Sequence, residues 1–256
     1  MCGRFVITSP PAALRRIFGY EEQPNFPPRH NVAPTQPIPV ILLEQDKRHF
    51  RLMRWGFMPA WVKDPRGFTL LINARSETVR EKPAFKNAIR RRRVLVPADG
   101  YYEWQVIEGR KRPFFIHRRD RTPLGFAALA ETWSGPNGEE VDTVAIVTAA
   151  ASGELATLHH RVPVTIGPDD YSTWLDCRSD DADEVMRLLV APEDGEFAWY
   201  EVSTRVNAVA NDDDQLLLPI TEEMRAAEDA QRKSAKKVAS RKASPAPADD
   251  GQGSLF

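Results

Sequence analysis

Apolar positions along this chain fall mostly at strand spacing. Val40-Ile41-Leu42-Leu43 is an apolar run, Asp46-Lys47 interrupts it, and Phe50 to Trp55 returns with alternating character, so the stretch reads as a hairpin. Val94-Leu95-Val96, Tyr101 to Trp104, Phe114-Phe115-Ile116, Leu124 to Leu129 and Val144 to Val147 read as further strands. Pro97-Ala98-Asp99-Gly100, Glu108-Gly109 and Pro136-Asn137-Gly138 supply turns between them. Leu70-Leu71-Ile72 and Val164-Thr165-Ile166 are short apolar strands, and Trp199 to Val209 reads as strand and turn. Helical spacing is confined to short pieces. Ala12 to Phe18 follows Thr8-Ser9-Pro10-Pro11, a capping hydroxyl with Pro in the first turn, and Gly19 ends it. Asn73 to Thr78 reads as a helix start, and Pro83 to Arg92, Asp169 to Leu175 and Asp181 to Val190 as helices.

Two stretches break the pattern. Residues 23–39 hold six prolines and must be irregular or extended. Trp55-Gly56-Phe57-Met58-Pro59-Ala60-Trp61 makes a poor helix and an irregular strand, and reads first as a plug for the core and second as a ligand platform. After about Thr221 apolar residues thin out. Between Arg225 and Lys242 there are seven Lys or Arg against two acids, and an Ala-Ser-Pro-rich segment follows. The division expected is therefore one domain over 2–222 and a basic, disordered tail over 223–256, helical at most in part.

Composition sharpens this picture in three ways. No apolar run approaches the length of a membrane span, and the first residues carry an early Arg without a sustained apolar stretch, unlike a signal peptide. Cys2 and Cys177 are the two cysteines of 256 residues, too few for a disulfide framework, which favours a reducing, cytoplasmic setting. A net charge of −1 argues against a generic nucleic-acid binder, yet the charges are unevenly spread. Arg90 to Arg93 is a dense basic run, part of which suits a helix C-terminus, and Arg29, Arg51, Arg54, Arg75 and Arg80 precede it. Acids gather late, over Asp180 to Glu184 and Asp212 to Asp214, so a local basic face is allowed.

Three groups of residues carry chemistry. Removal of Met1 makes Cys2 the N-terminal residue, with an α-amine and a thiol on adjacent carbons. The amine, with a reference pKa of about 7.7–8.0, is partly neutral near pH 7. A 1,2-aminothiol traps aldehydes: the amine forms an imine and the thiol closes a thiazolidine. A Cys2–Cys177 disulfide would destroy that group. Glu103 lies among Tyr101, Tyr102 and Trp104, where desolvation would raise its pKa and suit it to acid catalysis, or else it faces water from an alternating strand. His159-His160-Arg161 before a strand is an acid/base and phosphate-binding candidate. No carboxylate or Cys lies beside it at metal-ligand spacing, so no metal is expected, and nothing in the sequence calls for a cofactor.

An ordered set of motifs resembles the SRAP (SOS-response-associated peptidase) family, the proteins that shield abasic sites. The motifs are Cys2-Gly3-Arg4-Phe5, Asn31-Val32-Ala33-Pro34-Thr35, Trp55-Gly56 with Pro59 and Trp61, and Asn73-Ala74-Arg75-Ser76-Glu77-Thr78. Val96 to Trp104, His159-His160-Arg161-Val162-Pro163, and Val202-Ser203 with Val206-Asn207 complete it. The resemblance implies a single α+β domain with a β-barrel-like core and flanking helices. It implies a substrate, the abasic (AP) site of single-stranded DNA, whose ring-opened sugar presents the aldehyde that Cys2 would capture. Asn73 would hold the linkage, Glu103 would shuttle protons, and His159 would assist ring opening. Arg4, Arg75 and Arg161 would meet phosphates, and Pro34, Trp61 and Trp104 would pack against bases. His160 stands where the family commonly has an acid, Val162 where it often has Met or Arg, and Val94 where a Cys is frequent. The implied protein is a monomer at the replication fork or nucleoid, with Met1 removed by itself or by an aminopeptidase, in a lyase- or peptidase-like class.

Two other readings stay open. An N-terminal-nucleophile hydrolase or peptidase also uses a terminal Cys, with its own amine as base. A single-strand DNA module could bind through Arg and Trp without covalent chemistry. The last residues, Gln252-Gly253-Ser254-Leu255-Phe256, resemble the bacterial sliding-clamp-binding peptide Gln-x-x-Leu-Phe, with Gln252, Leu255 and Phe256 as anchors on a flexible tether.

Overall fold

A computed structural model describes residues 2–178 and 183–242, with side chains described as far as residue 234. The strands in chain order are β1 Phe5–Ile7, β2 Arg29–Val32, β3 Pro37–Glu44, β4 Lys47–Trp55, β5 Asn73–Arg75, β6 Arg93–Ala98 and β7 Gly100–Ile107. They continue as β8 Arg110–Arg118, β9 Leu124–Ser134, β10 Glu140–Ala150, β11 Arg161–Pro163, β12 Thr165–Ile166 and β13 Phe197–Glu201. The helices are α1 Pro11–Phe18, α2 Ala88–Arg91, α3 Tyr171–Leu175, α4 Asp183–Met186 and α5 Glu222–Lys242.

Strands β10, β4, β3, β6 and β9 pair in that order, and β9 pairs back to β10, which closes a five-stranded barrel. Closure removes the free edges that an open sheet of such apolar strands would expose. A second sheet, β13-β8-β7-β1-β2, packs against the barrel. Period-two alternation divides its side chains. Phe5, Ile7 and Tyr101 enter the barrel core, while Val6, Tyr102 and Phe115 face a second cluster with Val202, Val206 and Leu216. Phe5 packs on Trp55 at 5.3 Å and edge-on to Phe126 at 6.1 Å, which fastens β1 to the barrel.

The barrel opens at one end. Strand β9 stops pairing with β10 at Ala128↔Ile146, and residues 161–166 wedge between the two. There β11 pairs with Thr148 to Ala150, β12 pairs with Gly125 and Phe126, and Val164 bridges both sides through Val147 O and Ala127 N. On its other edge β10 takes β4 at Thr143 and Val144, then β5 at Ile146 to Thr148.

Several sequence expectations are corrected here. Asn73 to Thr78 begins no α-helix: β10 captures Asn73–Arg75 as a strand, and Ser76–Thr78 forms one 3₁₀ turn. Pro83 to Arg92 is helical only at α2, after turns over residues 79–87. The Thr8 and Ser9 hydroxyls leave α1 without a side-chain cap and bond to Asp99. Leu70 to Ile72 makes one bridge, Leu71 to Phe57. Within the proline-rich stretch β2 is a strand, and Pro37 and Pro39 are tolerated in β3 because its pairing with β6 lies beyond them, at Ile41.

From Ile220 onward the chain forms a second compact unit. In the first part of the expected tail, Glu222–Lys242 is one 21-residue helix. Thr221 Oγ1 accepts the Met224 N–H at 3.2 Å, and Glu222 and Glu223 favour the helix N-terminus. No described helix is long and apolar enough to cross a membrane. Met1, the first acids of the Asp180 to Glu184 run, the start of the helix expected from Asp181, and Gln252 to Phe256 lie outside the described residues.

Candidate functional site

Cys2 sits just before β1, fully buried in the barrel core. Pairing of β1 with β7 places Phe5 opposite Tyr101, and the Tyr102 N–H donates to Arg4 O at 3.0 Å. Continued one step, that register brings the N-terminal segment alongside Glu103. Alternation sends Glu103 to the same face as Tyr101, toward the core, and it is 4% exposed. The Glu103 reading that had it facing water is thereby excluded. Burial pushes the Cys2 thiol well above its ordinary value, and the Glu103 carboxylate adds to the shift. The thiol is therefore held protonated.

His159 follows the 3₁₀ turn Gly153–Thr157 and stands at the start of the wedge. Its Nδ1 lies 3.7 Å from Glu103 Oε1 and accepts the Arg161 N–H at 3.1 Å. Gln105, on the same face of β7 as Glu103, donates to Thr157 O at 2.6 Å and draws the turn against the strand. His160 lies against His159 with the two rings tilted by 39° and their centroids 4.2 Å apart, and it is exposed, its basicity lowered mainly by the neighbouring imidazole.

Asn73 reaches the site from β5. Its amide donates weakly to Ile146 O at 3.5 Å, while Oδ1 is buried with no hydrogen-bond partner. A buried acceptor without a donor is costly, so this atom is open to a donor supplied from outside. Thr148, two register pairs further along β10, faces Arg75, which projects to solvent.

The remaining residues divide. Trp61 is 60% exposed and touches Phe68 edge-on, whereas Trp55 and Phe57 of the same aromatic stretch are wholly buried, so the stretch plugs the core and leaves Trp61 at the surface. Pro34 is half-buried beside Thr35, whose φ of 75° makes the turn into β3. Trp104 faces away from Glu103, packs on the second cluster, and donates Nε1–H to Asn207 Oδ1 at 2.8 Å. Arg4 is half-buried and bonds Asn31 Oδ1 and Val206 O, both at 2.7 Å. Arg161 is turned inward. It is buried, pairs with both carboxylate oxygens of Glu77, and bonds Thr148 Oγ1 at 3.1 Å. Its guanidinium fixes the wedge to β10, whereas Arg75 is exposed. Motif reading quoted Asn31, Glu77 and Asn207 without giving them tasks, and passed over Gln105 and Thr148. Short polar side chains between apolar strand positions were the available signal. Among the described residues no three His, Cys, Asp or Glu side chains gather as a metal ion would need.

The sequence model for "SOS response associated peptidase (SRAP)" matches residues 1–209. Abasic site processing protein YedK of Escherichia coli is 32% identical over 86% of this chain and its own full length. YoqW of Bacillus subtilis, named likewise, is 31% identical over 85% of this chain and 99% of its own. Abasic site processing protein HMCES of Gallus gallus is 32% identical over 86% of this chain and 78% of its own. A solved protein from Bacteroides thetaiotaomicron superposes with a TM-score of 0.77 at 22% identity, covering 86% of this chain and all of that one. With the motifs in order on a barrel of this shape, and relatives aligned over most of both chains, the chain belongs to the SRAP family.

Proposed function

We propose that this protein recognises abasic sites in single-stranded DNA and shields them through a thiazolidine crosslink to Cys2, formed once Met1 has been removed by the protein itself or by an aminopeptidase. The observation that carries the reading is a wholly buried Cys2 just before β1 together with a buried Glu103 whose Oε1 lies 3.7 Å from His159 Nδ1. Relatives covering nearly their whole length are named abasic site processing proteins.

The chemistry balances without an oxidant or cofactor. His159 assists opening of the deoxyribose ring to the aldehyde. The neutral Cys2 α-amine adds to the aldehyde carbon, and the Glu103 carboxylate takes the proton that nitrogen gives up and hands it to the hydroxyl, which leaves as water. The thiol then adds to the imine carbon and its proton passes to nitrogen, closing the five-membered ring. A thiol kept protonated does not compete for the aldehyde before the amine, so the order is amine first, sulfur second. The open Asn73 Oδ1 accepts a donor of the linkage. Run in reverse with water, the same groups release the sugar. Arg4 and Arg75 hold flanking phosphates, and Pro34, Trp61 and Trp104 pack on bases. The resulting protein–DNA adduct covers the lesion until repair, in the cytoplasm at the replication fork. Gln252, Leu255 and Phe256 would bring it there by binding the sliding clamp, which a pull-down with and without residues 252–256 tests. Equal retention of the two forms removes the clamp from the account.

The deciding experiment mixes purified protein with single-stranded DNA carrying one abasic site and separates the products on a denaturing gel. A retarded band that Cys2→Ala abolishes is expected. No band from protein shown by mass spectrometry to lack Met1 would defeat the proposal, and a non-covalent complex alone would leave a single-strand binding module. Cleavage of a peptide by the same Cys2, without a DNA adduct, would point to the hydrolase.

A further inference from the structure

Trp104 is fixed at two edges. Its apolar edge packs on the cluster of Val6, Tyr102 and Phe115, and its indole N–H is held by Asn207 Oδ1 at 2.8 Å. Asn207 is exposed, yet its own place is fixed. The carbonyls on either side of it, Val206 O and Ala208 O, accept from the fully buried Asn31 amide at 3.2 and 3.1 Å. The same turn holds Arg4, whose guanidinium reaches Val206 O at 2.7 Å and Asn207 O at 3.4 Å. One residue thus sets an aromatic plane with its side chain and steadies an arginine with its backbone.

We infer that Asn207 is a positioning residue for single-stranded nucleic acid, setting the Trp104 indole at the angle at which a base stacks on it. The inference rests on the reading that this face takes single-stranded DNA. Stacking on an aromatic is worth about 1–3 kcal/mol per base, and it requires the ring to stand in one orientation before the base arrives. Without the Asn207 acceptor the indole keeps its apolar contacts but is free to swing about them. Asn207 touches neither the aldehyde nor Cys2, so its loss acts on binding more than on the covalent step.

The test uses the full chain with Cys2→Ala, so that binding is read without crosslinking, and a fluorescent single-stranded oligonucleotide. Asn207→Leu is expected to bind roughly fivefold more weakly, the effect of losing part of one stacking contact. In a proton–nitrogen correlation spectrum the Trp104 indole resonance moves upfield in Asn207→Leu. It stays in place in Asn207→Asp, which retains an acceptor oxygen at the same reach. If Asn207→Leu fails to fold, Asn207→Ser, too short to reach the indole, makes the same comparison. In protein with Cys2 intact, the oligonucleotide concentration for half-maximal crosslinking rises more than the limiting rate falls. Equal binding by the two proteins, or an indole resonance that ignores Asn207→Leu, overturns the inference while leaving the function intact. No binding by the Cys2→Ala protein with Asn207 present overturns both.

Discussion

Glu77 and Arg161 form a two-pronged ion pair that ties together the segments carrying Asn73 and His159. Glu77 sits in the middle of the turn after β5, Arg161 begins β11, and Glu77 Oε1 also accepts the Ala150 N–H at 3.0 Å. Both segments are thereby pinned to the last residues of β10. Removing the carboxylate leaves a buried guanidinium with fewer partners. Because Glu77 is half exposed, the cost falls short of that for a fully enclosed pair. Glu77→Ala is expected to lower unfolding stability by about 2 kcal/mol in denaturant titration. Glu77→Gln, which keeps the shape, should lose less. An unchanged midpoint in Glu77→Ala would show that the pair carries no load.

The same carboxylate makes an acid limb of stability. The Arg161 guanidinium bonded to it holds the Glu77 carboxyl below the usual carboxylate range. A depressed folded-state pKa means that the contribution is complete above the unfolded value of about 4.3 and is lost as pH falls through the lower folded one. The stability difference between wild type and Glu77→Gln should therefore be constant near neutrality and shrink below about pH 4. A difference that grows on acidification contradicts this linkage.

Why the barrel was legible and parts of the site were not follows from range. The hairpin of β3 and β4, and strands β6 to β10, announce themselves by local alternation and turns such as Glu108-Gly109, where φ is positive at both residues. Asn73 to Arg75 does not. The segment is polar enough to start a helix, and only the edge of β10, more than seventy residues away, makes it a strand. The Arg161 side chain shows the same limit. A motif can name an arginine, but whether it faces a phosphate or Glu77 depends on how residues 161–166 enter between β9 and β10. Cys2 and His159 stand out because Cys and His are rare in this chain, and Glu103 because aromatic residues surround it. Their convergence needed the β1–β7 register and the Gln105 latch, neither of which a linear pattern expresses.

Asp99 anchors the segment that follows β1. Its carboxylate accepts the N–H groups of Thr8 and Ser9, the latter at 2.7 Å, and both hydroxyls, while its own N–H donates to Val6 O at 2.7 Å. Asp99→Ala should cost about 2 kcal/mol, the scale of hydrogen bonds to a charged acceptor. It should also raise amide hydrogen exchange over residues 4–9 before the rest of the barrel responds. Exchange that rises uniformly across the chain would mean Asp99 supports the fold at large and not the N-terminal strand.

Two thiols in one chain offer a direct measure of how enclosed Cys2 is. Cys2 is fully buried and its thiol is pushed up by burial and by Glu103, whereas Cys177 is partly exposed, touching the Arg93 N–H at 3.4 Å. Because the thiolate is the reactive form, iodoacetamide at neutral pH should alkylate Cys177 well before Cys2 in folded protein. Denatured protein should show no such preference. Peptide mapping by mass spectrometry reads both sites at once. Cys2 modified first would mean that the thiol is open and ionised, which favours the hydrolase reading over the aldehyde trap.

Glu103 Oε1 and His159 Nδ1 stand 3.7 Å apart, near enough to influence each other electrostatically but beyond a direct hydrogen bond. If Glu103 serves imine formation and reversal, Glu103→Gln should slow both by about 10²-fold or more, the usual range for losing a general acid–base group. His159→Ala should slow chiefly the steps before imine formation, since its task is ring opening. A pre-opened aldehyde on a short linker should then restore its rate more than it restores that of Glu103→Gln. Residues in contact rarely act independently, so the double variant should lose less than the product of the two single losses. Strict multiplication of the two effects would mean that the two groups act independently on one and the same step, and the short distance between them would then be a structural coincidence of the wedge.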